Sequence, residues 1–153
     1  MRYEIRRGQL DHPRVADLLR AHLHALARLT PADSMHALDI GRLQGPDITF
    51  WSAWDGDDAV GCAALRQINA THGEVKSMRT SAPYLRRGVA SRLLDHVIDE
   101  ATSRGYRHLS LETGTAPAFE PAHRLYARAG FASCGPFDSY VADPHSVFMT
   151  RVL

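Results

Sequence analysis

Between Glu74 and Thr113 the chain changes its hydrophobic period twice, and no other feature constrains the fold as much. "EVKSMRTS" (residues 74–81) reads as a strand. From Val89 the apolar residues Val89, Leu93, Leu94, Val97, Ile98 and Ala101 fall on one helical stripe, and Gly105 is placed to end it. "HLSLET" (108–113) is again a strand. A strand, a helix and a strand in this order pack as a right-handed crossover, with both strands in one sheet and the helix on its face.

The flanking segments extend that sheet. "YEIRR" (3–7) reads as a first strand, and Asp11 and Pro13 then mark a helix start. Val15, Leu18, Leu19, Leu23, Leu26 and Leu29 keep helical spacing up to Pro31. "SMHALDIGRL" (34–43) is expected as a second short helix, ended by Gly45 and Pro46. "ITFWSAWD" (48–55) and "AVGCAALRQI" (59–68) pair across the turn "DGDD" as a hairpin. "AHRLYARAG" (122–130) is a helix ended by Gly130, and "FASCGPF" and "SVFMTRVL" complete the sheet. The expected architecture is mixed α/β in a single domain over residues 1–153, with helices on both faces.

Composition narrows the function classes. Lys and Arg number 18 against 17 Asp and Glu, a net charge of +1, so there is no general polyanion footprint and no nucleic-acid partner is expected. No apolar run approaches the roughly 18 residues of a membrane span. "MRYEIRRGQL" alternates and carries charge, unlike a signal peptide. Two isolated cysteines, Cys62 and Cys134, make neither a disulfide framework nor a thiolate metal site. Nine histidines without an HExxH pattern suggest no metal either. A reducing, cytoplasmic setting is expected.

The turn "RRGVAS" (86–91) opens the best-marked helix. The first N–H groups of a helix have no partner within it, and the dipole places partial positive charge there. Gly88 and Ala90 let the backbone close on an anion, and Arg86 and Arg87 offer charge-assisted bonds to phosphate oxygens. Taken alone, the turn reads equally as a basic helix start. It lacks both the P-loop and the dinucleotide glycine patterns.

A second stretch makes the pattern specific. Leu85-Arg86-Arg87-Gly88-Val89-Ala90 resembles the acyl-CoA motif Gln/Arg-x-x-Gly-x-Gly/Ala of the GNAT superfamily of N-acetyltransferases, with Leu85 where Gln or Arg is usual. About 35 residues on, "LYARAGF" (125–131) resembles that family's Leu-Tyr-x-x-x-Gly-Phe. "HALD", "KSMR" and "LETG" are similar to stretches of a subgroup of small bacterial members, the YsnE-type proteins.

The resemblance implies a mostly antiparallel sheet of six to seven strands with about four helices. It also implies a sheet splayed between the strands on either side of the Gly88 helix. Acetyl-CoA would lie in that gap as co-substrate. Met78, Arg79 and Thr80 would line the pantetheine arm, and Arg86, Arg87, Gly88, Val89, Ala90 and Ser91 would hold the pyrophosphate. Phe119 stands where the family often carries an Asn.

Acetyl transfer to an amine needs the amine deprotonated and the leaving thiolate protonated or tolerated. Glu74 is the candidate base if Glu74, Lys76, Met78 and Thr80 share one strand face; otherwise it is a strand-start carboxylate paired with Lys76. Tyr126, from the second motif, is the candidate acid and a thiol contact, or else a core tyrosine. His36, Lys76 and Arg79 suit an acceptor carboxylate, and Asp39 and Asp138 suit a second ammonium. The expected activity is direct acetyl transfer to the primary amine of a small molecule. The alternative is a non-catalytic acyl-CoA sensor. By analogy with the family, a homodimer through the late strands, including "SVFMTRVL", is a further expectation.

Overall fold

A computed structural model describes residues 3–153. Its seven strands form one sheet in the order β1-β2-β3-β4-β5-β7-β6. β1 (Glu4–Arg7), β2 (Ile48–Asp55), β3 (Asp58–Asn69) and β4 (His72–Thr80) make an antiparallel meander. β5 (His108–Gly114) joins β4 as the single parallel pair, and β7 (Ser146–Val152) lies between β5 and β6 (Ala132–Cys134). The mixed, mostly antiparallel α/β sheet is as the sequence suggests. β7 is paired on both sides, so "SVFMTRVL" is not a free edge; the short β6 is.

The helices divide between the two faces. α3 (Val89–Ser103) buries Val89, Leu93, Leu94, Val97, Ile98 and Ala101, its whole expected stripe, against Leu65, Val75, Leu109 and Leu111. α4 (Glu120–Arg128) joins the same core through Tyr126. α1 (Pro13–Leu29) packs Val15, Leu18 and Leu19 with Phe50, Trp54 and Cys62 on the opposite face. Gly61 lets α3 come close, because a Cβ there would lie 2.7 Å from Val89 Cγ1.

The segment 34–43 is not one helix. A 3₁₀ turn covers Ala32–Ser34, and α2 is only Ile40–Leu43. The polar residues explain the break. Asp39 accepts a hydrogen bond from the Arg42 N–H at 2.8 Å and so caps the helix at Ile40. The Ser34 hydroxyl donates to Asp143 in the late loop at 2.6 Å.

β4 corrects a second expectation. Cys62 faces Arg79 and Ala64 faces Lys76, so two steps on β3 match three on β4, with Ser77 at φ 55. This bulge reverses the alternation. Met78 packs with Val75 on the α3 side, while Glu74 bonds Arg66 and Tyr140 on the other. Glu74 and Met78 therefore do not share a face.

β4 and β5 pair only from His72↔His108 to Val75↔Leu111. Beyond that point they part, the splay expected around the Gly88 helix. Lys76 and Glu112 are the first residues past the fork.

Candidate active site

The fork opens a cavity of about 140 Å³ that reaches both faces of the sheet. On the α4 side its wall is Phe119, Ala122 and Tyr126. On the α1 side it is His22, Leu26 and His36. Lys76, Ser77 and Met78 line it from β4, and Glu112 and Gly114 from β5.

Each wall has a local cause. Phe119 sits in a 3₁₀ turn (Pro117–Phe119) with its ring packed directly on Gly114; a Cβ there would overlap the ring. His123 Nε2 bonds Gly114 O at 2.8 Å and fixes the start of α4 to the end of β5. This places the Tyr126 side chain at the fork, edge-on to Phe131 at 5.8 Å. Burial, with the nearby Glu112 charge, pushes the Tyr126 hydroxyl above the usual phenol range, so it is a proton donor at neutral pH.

Glu112 is the carboxylate on the cavity wall. Burial raises its carboxyl above the ordinary value, opposed by Ser146, His36 and Lys76. Residues 108–113 show nothing of this beyond a strand ending in an acid. A carboxylate near the end of a buried strand is the weak signal the sequence carries.

Glu74 stands behind that wall. It is 1% exposed and both its oxygens are engaged. Oε1 accepts from Arg66 Nε at 2.8 Å. Oε2 accepts from Lys76 Nζ at 3.2 Å and from the Tyr140 hydroxyl. Lys76 Nζ also donates to Tyr140 at 2.9 Å, leaving one ammonium N–H over. His36 lies edge-on to Tyr140 at 4.9 Å. Tyr140, from the late loop, is pushed up by burial and by Glu74.

The structure brings Lys76, His36, Met78 and Tyr126 together on one cavity. Asp138 is outside it, bound to Arg66 at 2.8 Å, and that hydrogen bond holds its carboxyl below the usual range. Asp39 is used as a helix cap. The Arg79 side chain belongs to the α1 face, where its charge acts on His22 and Cys62.

The turn before α3 is open and has the geometry of an anion cradle. Gly88 is the N-cap at φ 84, a left-handed conformation that glycine adopts without cost, and no side chain caps the helix. Nothing lies within 4 Å of where its Cβ would be, and Arg86, Arg87, Gly88 and Ser91 are exposed, with Ala90 half-buried and Val89 buried. Tyr3 donates to Arg87 O at 3.3 Å, and Arg87 stacks on Tyr84 at 5.3 Å. Leu85 is 57% exposed beside the cradle. From Lys76 to Thr80 β4 has an edge without a strand partner on the β5 side. A phosphate-bearing ligand with an extended amide arm fits a helix start and a free strand edge in line.

Comparison with known proteins agrees with this geometry. The family model described as "Acetyltransferase (GNAT) family" matches residues 16–131. The chain is 52% identical over 149 residues to the uncharacterized N-acetyltransferase YsnE of Bacillus subtilis (strain 168), covering 97% of this chain and 99% of that one. Its fold superposes with TM-score 0.79 on a Klebsiella pneumoniae chain described as an acyl-CoA N-acyltransferase, at 24% identity over 99% and 97% of the two chains. It superposes with TM-score 0.73 on a GNAT family acetyltransferase from Elizabethkingia anophelis with acetyl-CoA bound, at 18% identity over 99% and 98%.

Proposed function

This chain belongs to the acetyltransferase (GNAT) family, and from that premise we propose that it moves an acetyl group from acetyl-CoA to the primary amine of a small molecule, directly, with both substrates bound. The observation that carries the reading is the fork. It joins the cradle side of the sheet to the α1 side, with Tyr126 on one wall and Glu112 on the other.

Acetyl-CoA supplies an activated acyl group. Backbone groups of Met78, Arg79 and Thr80 align its arm along β4, and the N–H groups from Arg86 to Ser91 hold its phosphates. The acceptor enters from the α1 side. An alkyl ammonium has a pKa near ~10.4, so it arrives protonated. Glu112 takes that proton. The N–C bond then forms as the C–S bond breaks, and Tyr126 donates toward the departing sulfur, which leaves as a thiol. The amine loses two protons, one to the sulfur and one through Glu112 to solvent.

Glu74 acts at one remove. Its three donors occupy the lone pairs a base would use, and it holds Lys76 and Tyr140 in place. No helix among the described residues is long and apolar enough to cross a membrane, and a cytoplasmic site of action is part of the reading.

The test is release of free thiol from acetyl-CoA by the full chain across a panel of primary amines. Amine-dependent release is expected. Tight acetyl-CoA binding with no release for any amine would overturn catalysis and leave an acyl-CoA-binding module.

A further inference from the structure

Among the described residues, five buried side-chain nitrogen or oxygen atoms have no hydrogen-bond partner. Two of them, His22 Nδ1 and Ser77 Oγ, belong to residues that line the cavity, and a third, Arg79 Nε, belongs to the cation whose charge acts on His22 from behind. Buried polar groups are ordinarily satisfied. Two such atoms on one cavity wall, with Arg79 behind them, mark a place where a polar ligand completes them.

The chemistry of this end is specific. His22 is 7% exposed on α1, and burial together with Arg79 pulls its ring down to about 4, so it is neutral at pH 7 and offers an N–H without adding charge. Ser77 is 9% exposed and sits in the bulge at φ 55, where its hydroxyl is turned out of the ladder. Arg79 contributes a permanent cation behind His22. Lys76, one position before the bulge, retains one N–H beyond its bonds to Glu74 and Tyr140. Donors and positive charge gather here. Glu112, the carboxylate on the cavity wall, stands across the fork.

We propose that the acceptor is an α-amino acid, its carboxylate received by Ser77, His22, Arg79 and the free N–H of Lys76 while Glu112 faces its ammonium. This rests on the transferase reading and adds the class of its substrate. A zwitterion matches a fork whose two sides carry opposite charge, and an amine without a carboxylate would leave the His22, Ser77 and Arg79 atoms unpaired.

The experiment compares each proteinogenic L-amino acid with the amine that lacks its carboxylate, using the full chain, acetyl-CoA and free-thiol release. At least one amino acid is expected to exceed its decarboxylated partner by about tenfold or more in kcat/KM, because a site built for hydrogen bonds rejects the analogue without them. Ser77→Ala, which removes only a hydroxyl, and Arg79→Gln should each lower that ratio mainly through KM. Histidine-ring NMR gives a readout without turnover: the His22 signals should move on adding the favoured amino acid and not its amine. Equal or better turnover of the amine in every pair would overturn the proposal while leaving the transferase reading intact. An amino-acid preference that survives both substitutions would overturn the assigned site. No release with any primary amine would end both readings.

Discussion

Lys76 and Glu112 are the first residues past the last β4–β5 pair, Val75↔Leu111, and they face each other across the fork with opposite charge. Neither strand has the other as a neighbour there. Lys76 is held from behind by Glu74 and Tyr140, whereas Glu112 is half-buried on the cavity wall. The reaction we propose rests on that asymmetry.

Replacing Glu112 separates activity from stability. Glu112→Gln should reduce kcat by about 10²-fold or more, as loss of a general base does. Its folded carboxyl titrates above the ordinary 4.5 because burial disfavours the charge. The folded state then binds more protons than the unfolded one between those two values. Stability is therefore greater below the unfolded value and declines as pH rises through the folded one. The variant removes this penalty, so at pH 7.5 its Tm should equal or exceed that of the parent. A clear fall in Tm with activity retained would make Glu112 a structural group.

The pH profile of kcat/KM supplies an independent check. With Glu112 as base, activity is lost on the acid side as the carboxyl is protonated, with a midpoint above 4.5, in the direction that burial moves it. In Glu112→Gln that acid limb should disappear from the residual activity. An identical limb in the variant would assign it to another group.

Glu74 should behave as a structural acid. At 1% exposure, with Arg66, Lys76 and Tyr140 donating to it, its removal leaves the Lys76 ammonium without its carboxylate and Arg66 with Asp138 alone. Glu74→Ala is expected to cost about 3–5 kcal/mol in urea denaturation, the scale for breaking a buried pair. A stable Glu74→Ala protein that has lost only kcat would return Glu74 to the role of base.

Tyr126→Phe removes one hydroxyl from the α4 wall and leaves the ring contact with Phe131. Steady-state kinetics should show kcat lower by about 10²-fold. Unchanged kcat with reduced thermal stability would make it a core tyrosine.

Much of this was legible before any coordinates. The stripe from Val89 to Ala101 and the two glycine-bearing motifs place α3, α4 and the splay, because helical period and glycine stops are local properties of the chain. The bulge was also written there, less plainly. Val75 and Met78 are three apart where a regular strand alternates by two, and the extra residue is Ser77. Segment 34–43 departs from the single helix its spacing suggests because Ser34 and Asp39 serve as tether and cap, competing with the helix their neighbours favour. The Arg66–Glu74–Tyr140 network includes a bond between Glu74 and Tyr140, 66 positions apart, and no local pattern announces it.

In the proposed complex acetyl-CoA lies along β4 with its phosphates on the turn before α3. Calorimetric titration of acetyl-CoA into the full chain, with Gly88→Glu alongside, decides whether it does. A side chain at φ 84 costs about 1–2 kcal/mol of stability, which most folded domains tolerate. Its carboxylate projects into the open space of the cradle and repels phosphate. Saturable binding to the parent and its loss in a folded Gly88→Glu protein are expected. Binding that persists in the variant, or no binding by the parent, would contradict it.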